Sequence, residues 1–321
     1  MSQRTLYRHP DVLPVVQVEI TTACNLRCQG CARTIFLQRG EHRTRHMPLE
    51  GFKAVIATLP PTGILILQGN GEPLLHPHLL EMIEIARQSE KIRTILFNSN
   101  LLARDEIYIL ALRRAGLSQI MVSIDSFNQE TADLCRGGTD VALLKARIER
   151  LAPFVPLGVS VTVSRDNLAD LLDIVSWINS RLDNARVDFQ RLNPVPQRSD
   201  GRDPSLRPED LATFAQIIDQ MRRKFPLVSL AHSSDLDETR GKVSCSMPFR
   251  RPFITVDGDL CPCCYVADPS AYKKMNLFTV PFEIAWMSSA VQDWLAEFTT
   301  SVPEICRHCG STYLPPVLVP A

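Results

Sequence analysis

The sequence predicts an α/β protein with a parallel sheet of six strand–helix units, followed by a smaller domain rich in cysteine. Short apolar runs alternate with longer amphipathic stretches over the first 190 residues. A strand followed by a helix and a further strand is the repeating unit of parallel sheets. Six of the ten cysteines lie in the last 80 residues, so the second part of the chain differs in kind from the first.

Six apolar runs of strand length predict the strands, and most of them stop at a polar or glycine-containing turn. In chain order they are Val15–Ile20, Gly63–Leu67, Arg93–Phe97, Gln119–Ile124, Leu157–Val163 and Arg186–Gln190. Six units are too few to close an eight-stranded barrel. In barrels of this type the functional groups lie at the carboxyl ends of the strands.

Apolar residues at helical spacing predict the helices between these strands. The predicted faces are Leu79, Leu80, Met82, Ile83 and Ala86; Ile107, Leu110, Ala111 and Arg114, ended by Gly116; Leu143, Ile148 and Leu151; and Leu168, Leu171, Leu172, Val175 and Ile178. Pro208 begins a further helix with the face Leu211, Phe214, Ile218 and Met221. We place the domain boundary after it, which gives domains of residues 1–225 and 226–321.

Charge and hydropathy exclude several classes of protein. Lys+Arg and Asp+Glu number 35 each, and a formal net charge of zero argues against broad nucleic-acid binding. The basic stretch Arg39–His46 is expected to be a solvated loop, with phosphate binding as the alternative. No apolar run approaches the ~18 residues of a membrane span, and no export signal opens the chain. We therefore expect a cytoplasmic protein whose cysteines bind metal rather than form disulfides.

Cys24, Cys28 and Cys31 follow the first strand in the spacing C-x3-C-x2-C. Three thiolates can hold three irons of a four-iron cubane and leave the fourth iron open, whereas electron-transfer clusters use four cysteines. An open iron indicates chemistry at the metal rather than storage of an electron. The alternatives are a zinc site, a disulfide with a spare thiol, or buried core cysteines.

The segment ITTACNLRCQGC resembles the cluster loop of the radical S-adenosylmethionine (SAM) enzymes. The resemblance implies a partial (β/α)6 TIM-like barrel and a catalytic 4Fe-4S cluster whose open iron binds SAM. Reduced by an outside donor such as flavodoxin or ferredoxin, the cluster cleaves SAM to a 5′-deoxyadenosyl radical that abstracts hydrogen from substrate. The family usually has an aromatic residue on the adenine before the third cysteine, but here it is Gly30, so adenine packing must come from elsewhere.

Gly69-Asn70-Gly71-Glu72-Pro73 follows the second strand and resembles the family's G-G-E-P motif, with Asn70 in place of a glycine. The resemblance implies that Gly71 and Glu72 help to hold the amino group of SAM. The alternative is an ordinary strand-to-helix turn.

Polar side chains at the ends of the next two strands would face the same cavity. Asn98 ends the third strand, and Ser123-Ile124-Asp125 resembles the family's S-x-D segment near the ribose and carboxylate of SAM. Arg136 resembles the arginine of the family's Arg-Gly-Gly segment, and its guanidinium could fork onto a carboxylate. Loop capping is the alternative for Asn98, Ser123 and Asp125.

The C-terminal cysteines resemble those of the twitch domain, a shortened SPASM domain that holds one auxiliary 4Fe-4S cluster. The family's turn D-G-x-x-x-P-C is matched by residues 257–263, and a C-x2-C pair follows at 306–309. The resemblance implies the ligands Cys245, Cys263, Cys306 and Cys309, and Cys264 could replace Cys263. Structural zinc, with His308 as a ligand, is the alternative.

The cysteines left over are Cys135, Cys261 and Cys264, and each is a candidate hydrogen donor if the substrate is epimerised. If the substrate is oxidised, the auxiliary cluster can accept the electron instead. About 14 residues precede the first strand, too few for a peptide-recognition domain. We therefore expect a polar metabolite of natural-product biosynthesis, which is dehydrogenated, epimerised or decarboxylated. A short precursor peptide is the alternative substrate, and a non-enzymatic metal-binding scaffold is the alternative function.

Overall fold

The structure is a computed structural model that describes residues 6–183, 185–192, 203–232, 245, 247–264, 275–300, 303 and 306. The strands are β1 (Leu13–Val18), β2 (Arg27–Cys28), β3 (Thr62–Leu67), β4 (Ile92–Ser99), β5 (Gln119–Ser123), β6 (Arg136–Gly137), β7 (Leu157–Val163), β8 (Arg186–Arg191), β9 (Ser229–His232), β10 (Phe253–Ile254) and β11 (Leu260–Cys261). The helices are α1 (Ala32–Gln38), α2 (Leu49–Thr58), α3 (Leu79–Gln88), α4 (Glu106–Ala115), α5 (Gln129–Cys135), α6 (Val141–Leu151), α7 (Leu171–Asn179), α8 (Pro208–Lys224), α9 (Met247–Arg250), α10 (Phe282–Met287) and α11 (Ser289–Thr300).

The main sheet has the order β11-β10-β1-β3-β4-β5-β7-β8-β9. The six predicted strands are confirmed as β1, β3, β4, β5, β7 and β8, which pair in parallel. β9 continues the sheet beside β8, and β10 pairs in parallel with the other edge of β1. Strands from both sides of residue 225 therefore lie in one sheet, and the domain boundary placed there stays a prediction.

The face predicted for α4 is wrong by about one position, whereas the face predicted for α6 is wrong at Leu143 alone, since Ile148 and Leu151 are buried as expected. Ile107 on α4 is 79% exposed, and the core-facing residues are instead Ile109 and Leu112. Leu143 on α6 is 36% exposed, whereas its neighbour Leu144 is buried. One residue turns a helix by about 100°, so apolar character alone does not identify the residue that faces the sheet.

The core consists of aliphatic side chains from the parallel strands packed against the surrounding helices. Burial on both faces explains why the strands are nearly continuous apolar runs. Gln17 and Glu19 on β1 depart from this pattern, because they are polar and yet buried. Within the described residues, no helix combines the length and the hydrophobicity of a transmembrane span.

Candidate active site

A cavity of about 240 Å³ opens where the parallel strands of the barrel end. The three cysteines of the N-terminal loop, Cys24, Cys28 and Cys31, line it. The residues that the sequence assigned to SAM line the same cavity: Gly71, Glu72, Asn98, Ser123, Asp125 and Arg136. The fold thus brings these residues together, as expected for the carboxyl ends of parallel strands, while the role of each stays a prediction.

The cysteine loop is closed by a buried arginine, Arg33, which the sequence reasoning missed. Its guanidinium donates to the main-chain carbonyl oxygens of Thr22 at 2.9 Å, Cys24 at 3.1 Å and Leu26 at 3.2 Å. These three bonds fix the path of the chain around Cys24. An arginine two residues after the third cysteine was the available signal, but nothing local distinguishes it from a solvent-facing residue of α1.

The donor set of this loop fits a three-thiolate cluster. No disulfide joins any of the described cysteines. No three Cys, His, Asp or Glu side chains converge on a single ion in the part of the chain that the structure describes. A cubane does not need such convergence, since each thiolate binds a different iron. Burial raises the pKa of the Cys28 thiol to about 12 and also raises the pKa of the Cys24 thiol. A positive partner such as iron is therefore needed to stabilise the deprotonated thiolates.

The segment after α5 is attached directly to the cysteine loop. β2 and β6 pair antiparallel, with Cys28 opposite Arg136. The amide of Gln29 also donates to the carbonyl oxygen of Cys135 at 3.1 Å. Arg136 and Cys135 therefore lie beside the cysteines because of main-chain pairing.

Arg136 forms a salt bridge with Asp125, one of the other predicted SAM residues. Arg136 Nε lies 2.7 Å from Asp125 Oδ2, and Nη2 donates to Oδ1 at 3.2 Å. Asp125 Oδ1 also accepts from the amide of Thr162 at 2.7 Å. Burial disfavours the charged guanidinium, but the Asp125 carboxylate outweighs it and raises the pKa of Arg136. The Arg136 guanidinium is therefore held in its charged form beside Asp125 at the cavity wall.

Glu72 is buried, and its hydrogen bonds connect the carboxyl ends of β3 and β4, the second and third predicted strands. Its Oε1 accepts from Ser99 Oγ at 2.8 Å and from the amide of Leu74 at 3.1 Å, and its Oε2 accepts from the amide of Asn100 at 2.9 Å. Burial raises the pKa of Glu72, although these donors favour the ionised form. The amide of Glu72 donates to the carbonyl oxygen of Ala23 at 2.7 Å, which joins the motif to the cysteine loop.

Leu192, the residue after β8, explains why position 30 is a glycine. A Cβ atom at Gly30 would clash with Leu192 Cδ1, and both residues line the cavity. The space that a side chain at position 30 would occupy is thus filled by the residue that follows β8, on the far side of the sheet from β1. Sequence reasoning missed Leu192, because no local pattern connects it to the cysteine loop.

The structure separates the three leftover cysteines. Cys135 lines the cavity, whereas Cys261 and Cys264 are not among the described residues that do so. Burial and the nearby Asp125 raise the pKa of Cys135 to about 12, although Ser164 hydrogen-bonds to it. Cys261 is fully buried in β11 opposite Phe253.

The predicted auxiliary ligands are only partly described. Cys245, Cys263 and Cys306 are buried, and Cys264 is half-buried. Cys309 and the alternative zinc ligand His308 lie outside the described residues.

Two family models match the chain. The radical SAM superfamily matches residues 18–178, and the SPASM iron-sulfur cluster-binding domain matches residues 245–310. A GTP 3′,8-cyclase of Xanthomonas campestris pv. campestris is 26% identical over 288 residues, 81% of either chain. A PqqA peptide cyclase of Gluconobacter oxydans is 24% identical over 297 residues, which cover 91% of this chain and 81% of the relative.

Two solved structures share the fold at low sequence identity. Streptococcus suis SuiB bound to the precursor peptide SuiA superimposes with a TM-score of 0.72 at 11% identity, over 95% of this chain and 71% of SuiB. Native anSMEcpe with bound AdoMet superimposes with a TM-score of 0.71 at 17% identity, over 92% of this chain and 88% of anSMEcpe. At these identities the likeness concerns the fold alone.

Proposed function

Since this chain belongs to the radical SAM superfamily and carries a C-terminal SPASM-type domain, we propose that it abstracts a hydrogen atom from a polar metabolite in the cavity beside Cys24, Cys28 and Cys31. Members of the superfamily are enzymes. The two domains imply a catalytic 4Fe-4S cluster, auxiliary iron-sulfur clusters and SAM as cofactors. When bound, the cluster and SAM supply a 5′-deoxyadenosyl radical. The observation that carries the proposal is the meeting of the three thiols with the polar strand ends in one cavity.

The residues of the cavity divide into two groups in this proposal. Cys24, Cys28 and Cys31 hold the catalytic cluster, while Gly71, Glu72, Asn98, Ser123, Asp125 and Arg136 orient SAM. The auxiliary cluster is held by Cys245, Cys263, Cys306 and Cys309. The rest of the wall is rich in amides and hydroxyls, among them Gln68, Thr162 and Ser164, which suits a substrate with hydroxyl or amino groups.

Among the possible outcomes, the position of Cys135 favours epimerisation over dehydrogenation or decarboxylation. Abstraction leaves a carbon radical on the substrate. The Cys135 S–H bond then breaks, its hydrogen atom forms the new C–H bond on the opposite face, and a thiyl radical remains on sulfur. One electron from flavodoxin or ferredoxin and one proton from solvent restore the thiol. Because the pKa of Cys135 is raised to about 12, the sulfur carries the required hydrogen at neutral pH.

A second candidate function is the modification of a short precursor peptide. The relative named PqqA peptide cyclase favours it, because it matches 91% of this chain. SuiB, whose fold is similar, was solved with a precursor peptide. Oxidation or epimerisation of a peptide residue would use the same cavity residues.

The first test is anaerobic purification and reconstitution, with iron counted and SAM cleavage measured under dithionite. We expect about eight irons per chain and formation of 5′-deoxyadenosine. Cys28→Ala should abolish cleavage and keep about four irons, and Cys135→Ser, the matched control, should keep both the iron and the cleavage. Stoichiometric zinc with little iron and no 5′-deoxyadenosine would refute the enzyme and leave a metal-binding scaffold.

The outcome is tested by incubating the enzyme in D2O with candidate metabolites and with candidate precursor peptides. If the substrate is epimerised, the product of the wild-type enzyme should contain one deuterium from the solvent. The Cys135→Ser variant should form either a product without deuterium or no product. A product two hydrogens lighter, unaffected by Cys135→Ser, would instead establish dehydrogenation.

A further inference from the structure

Two buried polar side chains interrupt the apolar pattern of β1 and its continuation. Gln17 is 3% exposed and Glu19 is 4% exposed. They are two residues apart in an extended segment, so they point to the same side of the sheet. A buried carboxylate is tolerated only where donors satisfy it, so the identity of those donors indicates what the residue does.

Glu19 connects the SAM-motif loop to the C-terminal segment. Its Oε1 accepts from the amide of Asn70 at 2.9 Å and from Asn70 Nδ2 at 3.0 Å. Its Oε2 accepts from the amide of Val256 at 3.2 Å. Asn70 belongs to the motif of residues 69–73, and Val256 lies just before the turn that leads to Cys261 and Cys263.

Gln17 makes a second connection between the same two parts of the chain. Its Nε2 donates to the carbonyl oxygen of Gln68 at 3.0 Å. Its Oε1 accepts from Arg251 Nε at 3.1 Å and from Nη2 at 2.8 Å. Outside these two connections, Arg45 and Asp257 form an ion pair that joins the basic loop to the same C-terminal segment.

The departure of this chain from the family motif follows from the Glu19 contact. Asn70 stands where the family has a glycine, and its side-chain amide is one of the donors to Glu19. Gly69 is needed for a different reason, since a Cβ atom there would clash with the Glu19 side chain. Asn70 and Glu19 are therefore a matched pair rather than two independent residues.

We propose that Glu19, assisted by Gln17, is a positioning residue that holds the loop 68–73 in register with the segment 251–264, so that the SAM site and the auxiliary cysteines are kept as one unit. This inference rests on the proposed function for the identity of the two sites. Glu19 itself does not line the cavity in the described part of the chain. It acts through Asn70 on one side and Val256 on the other.

The test begins with the apoprotein, so that its result does not depend on catalysis. Hydrogen exchange is measured by mass spectrometry for wild type and for Glu19→Gln, which places an amide NH2 against backbone donors. We expect exchange at residues 68–73 and at residues 251–261 to accelerate together. The control is Gln292→Leu, which removes another buried amide, bonded to Tyr7 and Trp286 and outside the cavity lining. It should leave residues 68–73 unchanged, which separates the loss of a buried amide near the C-terminal segment from the loss of the coupling.

The second measurement is the equilibrium dissociation constant for SAM in reconstituted protein. Loss of hydrogen bonds to the buried Glu19 carboxyl group predicts that Glu19→Gln weakens SAM binding by about tenfold and that auxiliary iron falls while the iron of the three-cysteine loop stays. Should Glu19→Gln not fold, Asn70→Gly removes the side-chain bond and keeps the main-chain bond to Glu19, and because Asn70 also lines the cavity, its readout is faster exchange at residues 251–261. Acceleration in one segment alone, or unchanged exchange with normal SAM binding, would overturn the proposal.

Failure of this proposal differs from failure of the proposed function. A chain that lacks SAM cleavage altogether would still show the coupled exchange if Glu19 joins the two segments. An active enzyme with uncoupled exchange would retain the function and refute the positioning role.

Discussion

Replacing Arg33 with glutamine should open the cysteine loop, because the guanidinium serves three main-chain carbonyls at once. These are the carbonyls of Thr22, Cys24 and Leu26, at 2.9 to 3.2 Å. A glutamine side chain is shorter and has two N–H donors on one nitrogen, so we expect it to satisfy one carbonyl at most. Each buried acceptor left without a donor costs about 1–3 kcal/mol. We therefore expect the free energy of unfolding to fall by about 3 kcal/mol.

The assay is urea unfolding of the apoprotein, followed by tryptophan fluorescence, for wild type and Arg33→Gln. A loss of about 3 kcal/mol corresponds to roughly a hundredfold change in the unfolding equilibrium. It should lower the urea midpoint without changing the slope. In the reconstituted protein, removing a buried cation beside the thiolates should also make the reduction potential of the cluster more negative, since a cation favours the reduced form.

Two further variants separate geometry from charge. Arg33→Lys keeps the charge and loses the planar fork, so it should lose stability while the potential changes little. Arg43 is exposed on the neighbouring segment, and Arg43→Gln should change the unfolding free energy by no more than about 0.5 kcal/mol. An Arg33→Gln protein as stable as the Arg43→Gln protein, with its iron retained, would refute the reasoning.

Three other perturbations have defined outcomes. Asp125→Asn leaves the Arg136 charge buried without its partner, and should cost about 3–5 kcal/mol in urea unfolding, whereas an unchanged midpoint would contradict the ion pair. Gly30→Ala should cost no more than about 1 kcal/mol, because the Leu192 methyl group that it meets ends a flexible side chain, and Leu192→Ala should remove that cost in a double-mutant cycle. Burial lowers the pKa of His76 to about 4 from 6.5, so the unfolded chain binds the proton first as pH falls. The contribution of His76 should therefore cost about 3 kcal/mol of stability between pH 6.5 and pH 4, and His76→Asn should reduce the decline over that range by about this amount.

The parts of the molecule that sequence predicts well are those with a local pattern. The parallel strands are recognisable in the sequence as apolar runs because they are buried on both faces of the sheet. The three cysteines lie within eight residues of one another, so their spacing alone indicates shared chemistry. Asn98, Ser123 and Asp125 could be placed at one cavity because strand ends converge in a parallel fold.

What escaped prediction depends on contacts between distant residues. Glu19 and Val256 are 237 positions apart in the chain. Gly30 belongs to the loop after β1, whereas its neighbour Leu192 follows β8. Arg33 would have been placed at the surface, since its partners are main-chain carbonyls that carry no sequence signal. The α4 face was misjudged because Ile107 is as apolar as Ile109, and only packing against the neighbouring elements decides between them.

The pairing of β10 with β1 has a consequence for the order in which the chain assembles. Gln17 lies opposite Phe253, so one edge of the first strand has no partner until more than three quarters of the chain has been synthesised. The other edge can pair with β3 as soon as residue 67 has left the ribosome. An unpaired strand edge invites aggregation, and long-range pairing of this kind forms late. A chain that stops before residue 253 therefore leaves β1, and the cysteine loop that follows it, beside an open strand edge.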